Sequence, residues 1–243
     1  MAAAGVAGID IGGESTRPHA DAVPVDEERR RVLPVVQAIA RELGTPVSID
    51  TTKAAVARDA VAAGAEIIND VSGFRQDPGM IPLAAECGAG CVIMHRRGTP
   101  ETMQQFTDYD DLCGEINAFF LAVIDDLVAA GVARDRICVD PGIGFSKTAA
   151  QNLELINRAA AFRAATDRPV LLGPSRKSFI GKALGVDDPQ DRVWGTAAAV
   201  ACGVLRGAAV VRVHDVAAMR QVCDLAEAIR RAPAADDGAD AGR

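Results

Sequence analysis

The sequence has few aromatic residues and no paired-cysteine motif. Aromatic side chains make up 4% of the 243 residues, so the core must be built from Ala, Val, Ile and Leu. An aliphatic core of this kind suits short parallel strands that are buried on both faces. The six cysteines include no CxxC pair, which argues against a zinc site and favours reduced, structural thiols.

The chain also lacks an excess of basic residues, and its first residues do not show the pattern of a leader segment. The formal net charge of −7 argues against a nucleic-acid-binding surface, although a local group of basic residues can still hold a small anion. The first residues carry no basic region and meet an acid at Asp10, so we expect neither a secretory signal nor a membrane span. HExxH, GxSxG, Walker A and Rossmann glycine patterns are absent. We therefore expect a cytoplasmic protein without nucleic-acid or membrane partners.

Short apolar runs alternate with helical patterns along the chain. The runs predict seven strands, over residues 5–11, 46–50, 66–70, 91–94, 136–140, 169–173 and 209–213. The helical patterns cover residues 25–43, 53–63, 77–87, 108–130, 150–164, 176–184, 189–206 and 215–231. This alternation predicts an α/β fold, a TIM-type (β/α)8 barrel with seven βα units present and the first missing. We expect one barrel domain over 1–231 and a disordered, small and polar tail over 232–243.

Polar residues follow five of the apolar runs abruptly, and a parallel barrel would bring them to one rim. Asp10, Asp50 and the Asn69-Asp70 pair can alternatively be read as caps or turn residues. For Asp140 a functional role is favoured over a role in a turn, because Pro141 and two glycines fix a tight loop beside its carboxylate.

Basic residues follow three runs, of which 209–213 is the fifth of those counted above. Ser175, Arg176 and Lys177 begin a helix directly after a strand, which suits an anion site, or else form a solvated surface pair. Arg212 and His214 alternate in a predicted strand, so we expect both on one side as donors to an oxygen anion. His95 ends another strand and is either a ligand contact or a rim histidine.

These segments together resemble the dihydropteroate synthases of the pterin-binding barrel family. The match covers nearly the whole chain in family order, and the segments are residues 9–18, 48–51, 67–71, 94–95, 140–145, 175–178 and 212–216. The resemblance implies a transferase of folate biosynthesis, which condenses 6-hydroxymethyl-7,8-dihydropterin diphosphate with p-aminobenzoate. The products are 7,8-dihydropteroate and diphosphate.

The resemblance also implies roles for individual residues. The pterin ring would be held by Asp50, Asn69, Asp140 and Lys177. The diphosphate would be held by Thr16, Arg212 and His214. The p-aminobenzoate position would be bordered by Arg17, Pro18, Phe145 and Ser175. Catalysis is assigned to Lys177, Arg212 and His214.

The sequence departs from the family pattern at its front. The family's N-terminal strand carries an Asn-x-Thr-x-Asp-Ser-Phe-like loop with an Asn ligand to Mg²⁺, and this segment is missing here. We therefore expect Mg²⁺ as a cofactor but no metal ligand within this chain, and a homodimer through outer helices. Two alternatives stay open: an inactive, truncated pterin-binding homologue, and a pterin-dependent methyltransferase.

Overall fold

The computed structural model describes residues 2–17 and 20–233, in which strands and helices alternate. The strands are β1 Ile9–Gly12, β2 Val47–Asp50, β3 Ile67–Asp70, β4 Gly90–Met94, β5 Ile137–Asp140, β6 Leu171–Leu172 and β7 Val210–Val211. The helices are α1 Val25–Glu42, α2 Ala54–Ala62, α3 Met80–Cys87, α4 Leu112–Ala129, α5 Ala149–Asn157, α6 Ala159–Thr166, α7 Ser178–Leu184, α8 Val193–Leu205 and α9 Val216–Arg231. The predicted strand and helix order is confirmed.

All strand pairs are parallel and follow the order of the chain. Strands β1 to β5 form one sheet, and β6 pairs with β7. A bridge between Val139 and Val170 joins the two parts. The helical crossovers lie between successive parallel strands, which is the connection of a TIM-type barrel. Within the described residues β1 and β7 occupy the two ends of this curved sheet.

Aliphatic side chains fill the space between the strands and the helices. Ile49, Ile68, Ile93 and Val139 from four neighbouring strands are fully buried. Helix α4 covers part of this sheet, and its N-terminus is capped where the side chain of Asp111 accepts a hydrogen bond from the Gly114 N–H at 3.0 Å. The low aromatic content is therefore compatible with a continuous core.

Several predicted element boundaries differ from the structure, and three of the differences bear on the core or the site. Helix α4 begins at Leu112, four residues after the predicted start at 108, and its buried face includes Phe120. The predicted helix 150–164 is two helices, because the chain leaves helical geometry at Arg158. Strand β7 ends at Val211, so the prediction that Arg212 and His214 alternate within a strand is wrong. Both residues lie in the connection between β7 and α9.

No helix in the described residues is both long and apolar enough to span a membrane. All six cysteines are free thiols. Of the predicted tail, only Ala232 and Pro233 lie within the described residues.

Candidate active site

The carboxyl ends of β1, β2 and β3 bring two carboxylates and one amide together. Arg212 reaches across from the other end of the sheet and donates from Nε to Asp10 at 2.6 Å and from Nη2 to Asp50 at 3.2 Å. The side-chain amide of Asn69 donates to Asp10 at 3.3 Å. Residues from the first and last strands therefore meet at one rim, as a parallel barrel requires.

The two carboxylates are close enough to influence each other. Burial, followed by the negative charge of Asp10, raises the pKa of Asp50 to about 7, and Arg212 opposes this shift. Burial acts to lower the pKa of Arg212, but Asp10 and Asp50 outweigh it and raise that pKa. The side chain of Arg212 is 48% exposed, so it can contact a ligand while it contacts both carboxylates.

Asp140 and Lys177 form a second charged group at the same rim. Burial raises the pKa of Asp140, and the positive charge of Lys177 opposes this. Burial lowers the pKa of Lys177 to about 8, and Asp140 opposes that shift. The ammonium of Lys177 donates to the backbone oxygen of Ile143 and lies 4.6 Å from the centre of the Phe145 ring. Phe145, predicted to border p-aminobenzoate, therefore lies beside the predicted pterin ligand Lys177.

The loop after β5 is held by close backbone contacts. The side chain of Asp140 accepts a hydrogen bond from the Gly142 N–H at 2.8 Å. Gly142 has φ +72°, and a Cβ at this position would overlap the backbone oxygen of His95. Only glycine meets both demands without strain, so this residue fixes the loop that begins at Asp140.

We expect Gly142→Ala to lower the free energy of unfolding by about 1–3 kcal/mol, because the added methyl group must displace the β4 end. Denaturant unfolding followed by circular dichroism measures this change. Gly185→Ala is the matched control, because Gly185 has φ +69° with no atom within 4 Å of an added Cβ. An equal loss in both variants would show that the backbone conformation alone matters, and that the contact with His95 does not.

His214 and Ser175 lie together on the basic side of the rim. The hydroxyl of Ser175 accepts a hydrogen bond from the His214 N–H at 3.1 Å and lies 2.9 Å from Nδ1 of the ring. Burial lowers the pKa of His214, and the charges of Arg176, Arg212 and Arg17 add to this effect. The carboxylate of Asp215 acts against these three arginines, and the pKa of His214 is lowered nevertheless.

Arg176 is adjacent to Lys177 in sequence but takes no part in the rim. Its backbone is in the left-handed region, with φ +58°. Its guanidinium makes two hydrogen bonds to Asp215, at 2.9 and 2.5 Å, and does not contact the rim carboxylates. Helix α7 has only seven residues and begins after it. The expectation of an anion site made by Ser, Arg and Lys at a helix start therefore reduces to Ser175 and Lys177.

The connection between β1 and α1 carries Thr16 and Arg17. Thr16 lines a cavity of about 290 Å³ that also touches Thr52 and Val71, each two residues beyond a predicted pterin ligand. Arg17 is exposed, and its charge reaches His214. Pro18, predicted to border p-aminobenzoate, lies outside the described residues.

His95 is a buried structural residue in this fold. Burial lowers its pKa to about 2, so the ring is neutral at physiological pH. Its Nδ1 lies 3.1 Å from Nζ of the buried Lys147, which also donates to the backbone oxygens of His95 at 3.2 Å and Phe145 at 2.9 Å. Of the two roles predicted for His95, the structure favours a rim histidine that is buried and bonded within the protein over a residue that contacts a ligand.

The sequence did not predict the contacts of two sets of residues near the rim. Asp10 looked like a turn residue beside Gly12 and Gly13, yet it bridges Asn69 and Arg212. Glu14 and Lys53 form an ion pair at 2.9 Å beneath the β1–α1 connection. Only the position of Asp10 at a strand end offered a signal, because the ion pair joins residues that are distant in sequence.

The grouping of possible ligand side chains bears on whether this chain could bind a metal ion. In the parts of the chain that the structure describes, no three or more His, Cys, Asp or Glu side chains are grouped so that they could hold a metal ion. The rim carboxylates are engaged by Arg212, Asn69 and backbone N–H groups instead. The residues present therefore do not form a metal site by themselves.

Comparisons with known proteins point to one family. The family model described as pterin binding enzyme matches residues 1–214. A protein from Synechocystis is 50% identical over 92% of this chain and 77% of its own length, and one from Bacillus subtilis is 45% identical over 91% and 74%. A solved structure from Yersinia pestis with a sulfonamide drug superposes with a TM-score of 0.91 at 42% identity, covering 95% of this chain and 82% of its own.

The chain belongs to the family of pterin-binding enzymes, since the family model and the barrel fold cover it almost completely. Within that family these relatives and the solved structure are all named dihydropteroate synthase. Further solved structures of that name contain pteroic acid or 7,8-dihydropteroate. The comparisons thus favour the synthase over the methyltransferase alternative.

Proposed function

We propose that the rim of this barrel joins 6-hydroxymethyl-7,8-dihydropterin diphosphate to p-aminobenzoate. The chain is a transferase of the dihydropteroate synthase type in folate biosynthesis, by sequence identity and by fold. The observation that carries the residue-level proposal is that Arg212, from the connection after β7, reaches Asp10 and Asp50 at the ends of β1 and β2, where Asn69 of β3 also contacts Asp10.

The acidic half of the rim suits the pterin ring. Asp50 and Asp140 can accept hydrogen bonds from the ring's amino and N–H groups, and the amide of Asn69 can both donate and accept. Lys177 contributes a half-buried cation whose charge acts on Asp140. A ring that left these buried groups unpaired would bind much more weakly, which gives the site its selectivity.

The basic half of the rim suits the diphosphate. Arg212 offers several N–H donors, and His214 lies among cations that attract an anion. Thr16 adds a hydroxyl at the cavity wall. These groups support the leaving diphosphate as its negative charge grows.

The second substrate enters beside the first. Phe145, next to Lys177, provides an apolar face for the aromatic ring of p-aminobenzoate. Arg17 provides a cation for its carboxylate, and Ser175 fixes the orientation of His214 between the two sides. The prediction for Pro18 remains part of this proposal without structural support.

The reaction is a displacement at the pterin methylene carbon. The C–O bond to diphosphate breaks, and its electron pair stays on the departing diphosphate oxygen. The amine nitrogen of p-aminobenzoate forms the new C–N bond and loses one proton. Because the leaving group departs as a stable anion, the protein mainly stabilises that charge and positions the amine. Arg212, His214 and Lys177 are the residues placed to do so.

Mg²⁺ remains a proposal that rests on the family resemblance. Mg²⁺ commonly binds through substrate phosphates with few protein ligands. The proposed reaction assigns no step to the ion, since the described residues form no cluster of ligands for it. An assay with and without added Mg²⁺ measures this requirement.

Product formation tests the proposed function. Purified chain should convert the dihydropterin diphosphate and p-aminobenzoate into dihydropteroate and diphosphate in equal amounts, measured by chromatography. Isothermal titration with the same dihydropterin is run in parallel. Binding without product would overturn the synthase assignment and leave the inactive homologue.

A homodimer through the outer helices is a further part of this proposal. Trp194 on α8 is 82% exposed, and Leu184 at the end of α7 is 57% exposed. Gly195 packs against Leu184, so the two apolar side chains lie on neighbouring surface. Exposed apolar groups of this size often mark a protein interface.

We expect Trp194→Asp to convert the dimer into a monomer, because a charge at the centre of an apolar contact loses its hydration. Sedimentation velocity measures the change. Leu225→Asp is the control, since Leu225 is similarly exposed, at 64%, on α9. A monomeric wild-type chain, or an unchanged dimer in Trp194→Asp, would contradict this interface.

A cytoplasmic location also remains a proposal. It is supported by six free cysteines, which a reducing compartment preserves.

A further inference from the structure

One carboxylate of helix α1 is completely buried behind the predicted site. The side chain of Glu28 is 0% exposed, and it accepts hydrogen bonds from the Thr51 hydroxyl at 2.7 Å and from the Lys53 ammonium at 2.5 Å. A buried carboxylate without a partner is very costly, so the hydrogen bonds from Lys53 and Thr51 compensate the burial of Glu28.

Lys53 holds a second carboxylate at the same time. Its ammonium donates to Oε2 of Glu14 at 2.9 Å, and Oε1 of Glu14 accepts a hydrogen bond from the Val23 N–H at 2.6 Å. Glu14 therefore joins the start of the β1–α1 connection to its end. Arg31 adds a hydrogen bond to the backbone oxygen of Gly13 at 2.9 Å.

This network lies next to the functional residues without containing them. Glu14 is two residues before Thr16, and Thr51 directly follows Asp50. The network thus links the backbone that carries the predicted diphosphate contact to the strand end that carries a predicted pterin contact. Burial acts to lower the pKa of Lys53, but its bonds to Glu28 and Glu14 outweigh this and raise it.

We propose that Lys53, Glu14 and Glu28 form a charge clasp that positions residues 13–17 and 20–24 over the site and so sets the affinity for p-aminobenzoate and diphosphate. The assignment of those two ligands rests on the proposed function. The clasp itself contacts neither substrate, so its members are positioning residues. An apolar packing contact would not fix the orientation of the β1–α1 connection in this way, because such contacts are not directional. The hydrogen bonds from one ammonium to two carboxylates are directional.

The sharpest test is Glu14→Gln. The glutamine oxygen can still accept from Val23, but the charge that attracts Lys53 is lost, while the buried pair of Lys53 and Glu28 stays intact. We expect the KM for p-aminobenzoate to rise about tenfold, which corresponds to one poorly placed interaction. We expect the melting temperature and the Kd for 6-hydroxymethylpterin, which has no diphosphate, to stay at the wild-type values.

Glu86→Gln is the matched control. Glu86 makes two hydrogen bonds of 3.0 Å to Arg58 on the outer face of the barrel, far from the β1–α1 connection. This variant removes the same charge from an ion pair without touching the clasp. Its kinetic constants should equal those of the wild type.

Lys53 is tested by a pair of variants. We expect Lys53→Arg to retain most of the affinity for p-aminobenzoate, because a guanidinium can contact both carboxylates, and Lys53→Met to lose it. Lys53→Met also leaves Glu28 unpaired, so a fall in its melting temperature is expected and does not decide the question. Glu14→Gln decides it.

Two outcomes overturn the clasp. One is a lower melting temperature in Glu14→Gln with an unchanged KM, which means a purely structural role. The other is an equal loss of affinity for 6-hydroxymethylpterin, which means a general disturbance of the rim. Hydrogen exchange over residues 13–24 separates this proposal from the proposed function: if wild-type chain makes no product, faster exchange in Glu14→Gln than in Glu86→Gln still supports the clasp, and equal exchange refutes it.

Discussion

Replacement of Arg212 by Ala is expected to lower kcat by a factor of about 10²–10³, which is the usual cost of removing one donor to a developing anion. Arg212 is half exposed and stands where the carboxylates of Asp10 and Asp50 meet the basic residues of the rim. Loss of its guanidinium removes donors from the departing diphosphate. It also leaves the two carboxylates without their counter-ion.

These two effects separate in the kinetics. A loss confined to leaving-group stabilisation lowers kcat with little change in the Kd for 6-hydroxymethylpterin, whereas disturbed carboxylates weaken that Kd as well. Arg58→Ala, which breaks an exposed ion pair with Glu86, is the control for removal of an arginine. An Arg212→Ala enzyme with unchanged kcat/KM would remove this residue from the mechanism.

Replacement of Asp140 by Asn is expected to weaken pterin binding by a factor of about 10–10², since a hydrogen bond to a charged group is usually worth about 1.5–3 kcal/mol. The asparagine oxygen can still accept from Gly142, so the loop keeps its shape. Lys177, however, loses a negative charge that favours its ammonium form. Isothermal titration with 6-hydroxymethylpterin measures the change in Kd.

Asp135→Asn provides the comparison for Asp140→Asn. Asp135 is exposed just before β5, so this variant removes a carboxylate without touching the rim. We expect its Kd to match the wild type. Pterin affinity that survives in Asp140→Asn would show that Asp140 serves only the turn at Gly142.

The positions of the strand ends could be predicted because the buried strands are short and apolar. Val47 and Ile49 give way at once to Asp50, and Ile68 gives way to Asn69, so each run marks where a strand ends. Parallel pairing then brings those ends together without any information about individual contacts. This is why the sequence alone assigns most of the predicted substrate-binding residues to one rim.

The direction of side chains beyond the strand ends could not be predicted. Arg176 and Lys177 are neighbours in sequence, yet a positive φ at Arg176 sends its guanidinium to Asp215 while Lys177 turns inward. Strand β7 is also shorter than its apolar run, so Arg212 reaches Asp10 from a connection and not from a strand. Such details depend on tertiary contacts.

The charge clasp shows the same limit. Glu14 and Glu28 lie 39 and 25 residues from Lys53, and each alone looks like an ordinary surface charge in the sequence. Only the fold shows that Glu28 is fully buried. Charged residues near a predicted site therefore need a structure before a role can be assigned to them.

The most direct test is a crystal structure of this chain with 6-hydroxymethylpterin and diphosphate bound. The account predicts the ring between Asp50, Asn69, Asp140 and Lys177, with the diphosphate on the side of Arg212. A ring bound elsewhere on the barrel, with these side chains unchanged, would contradict it.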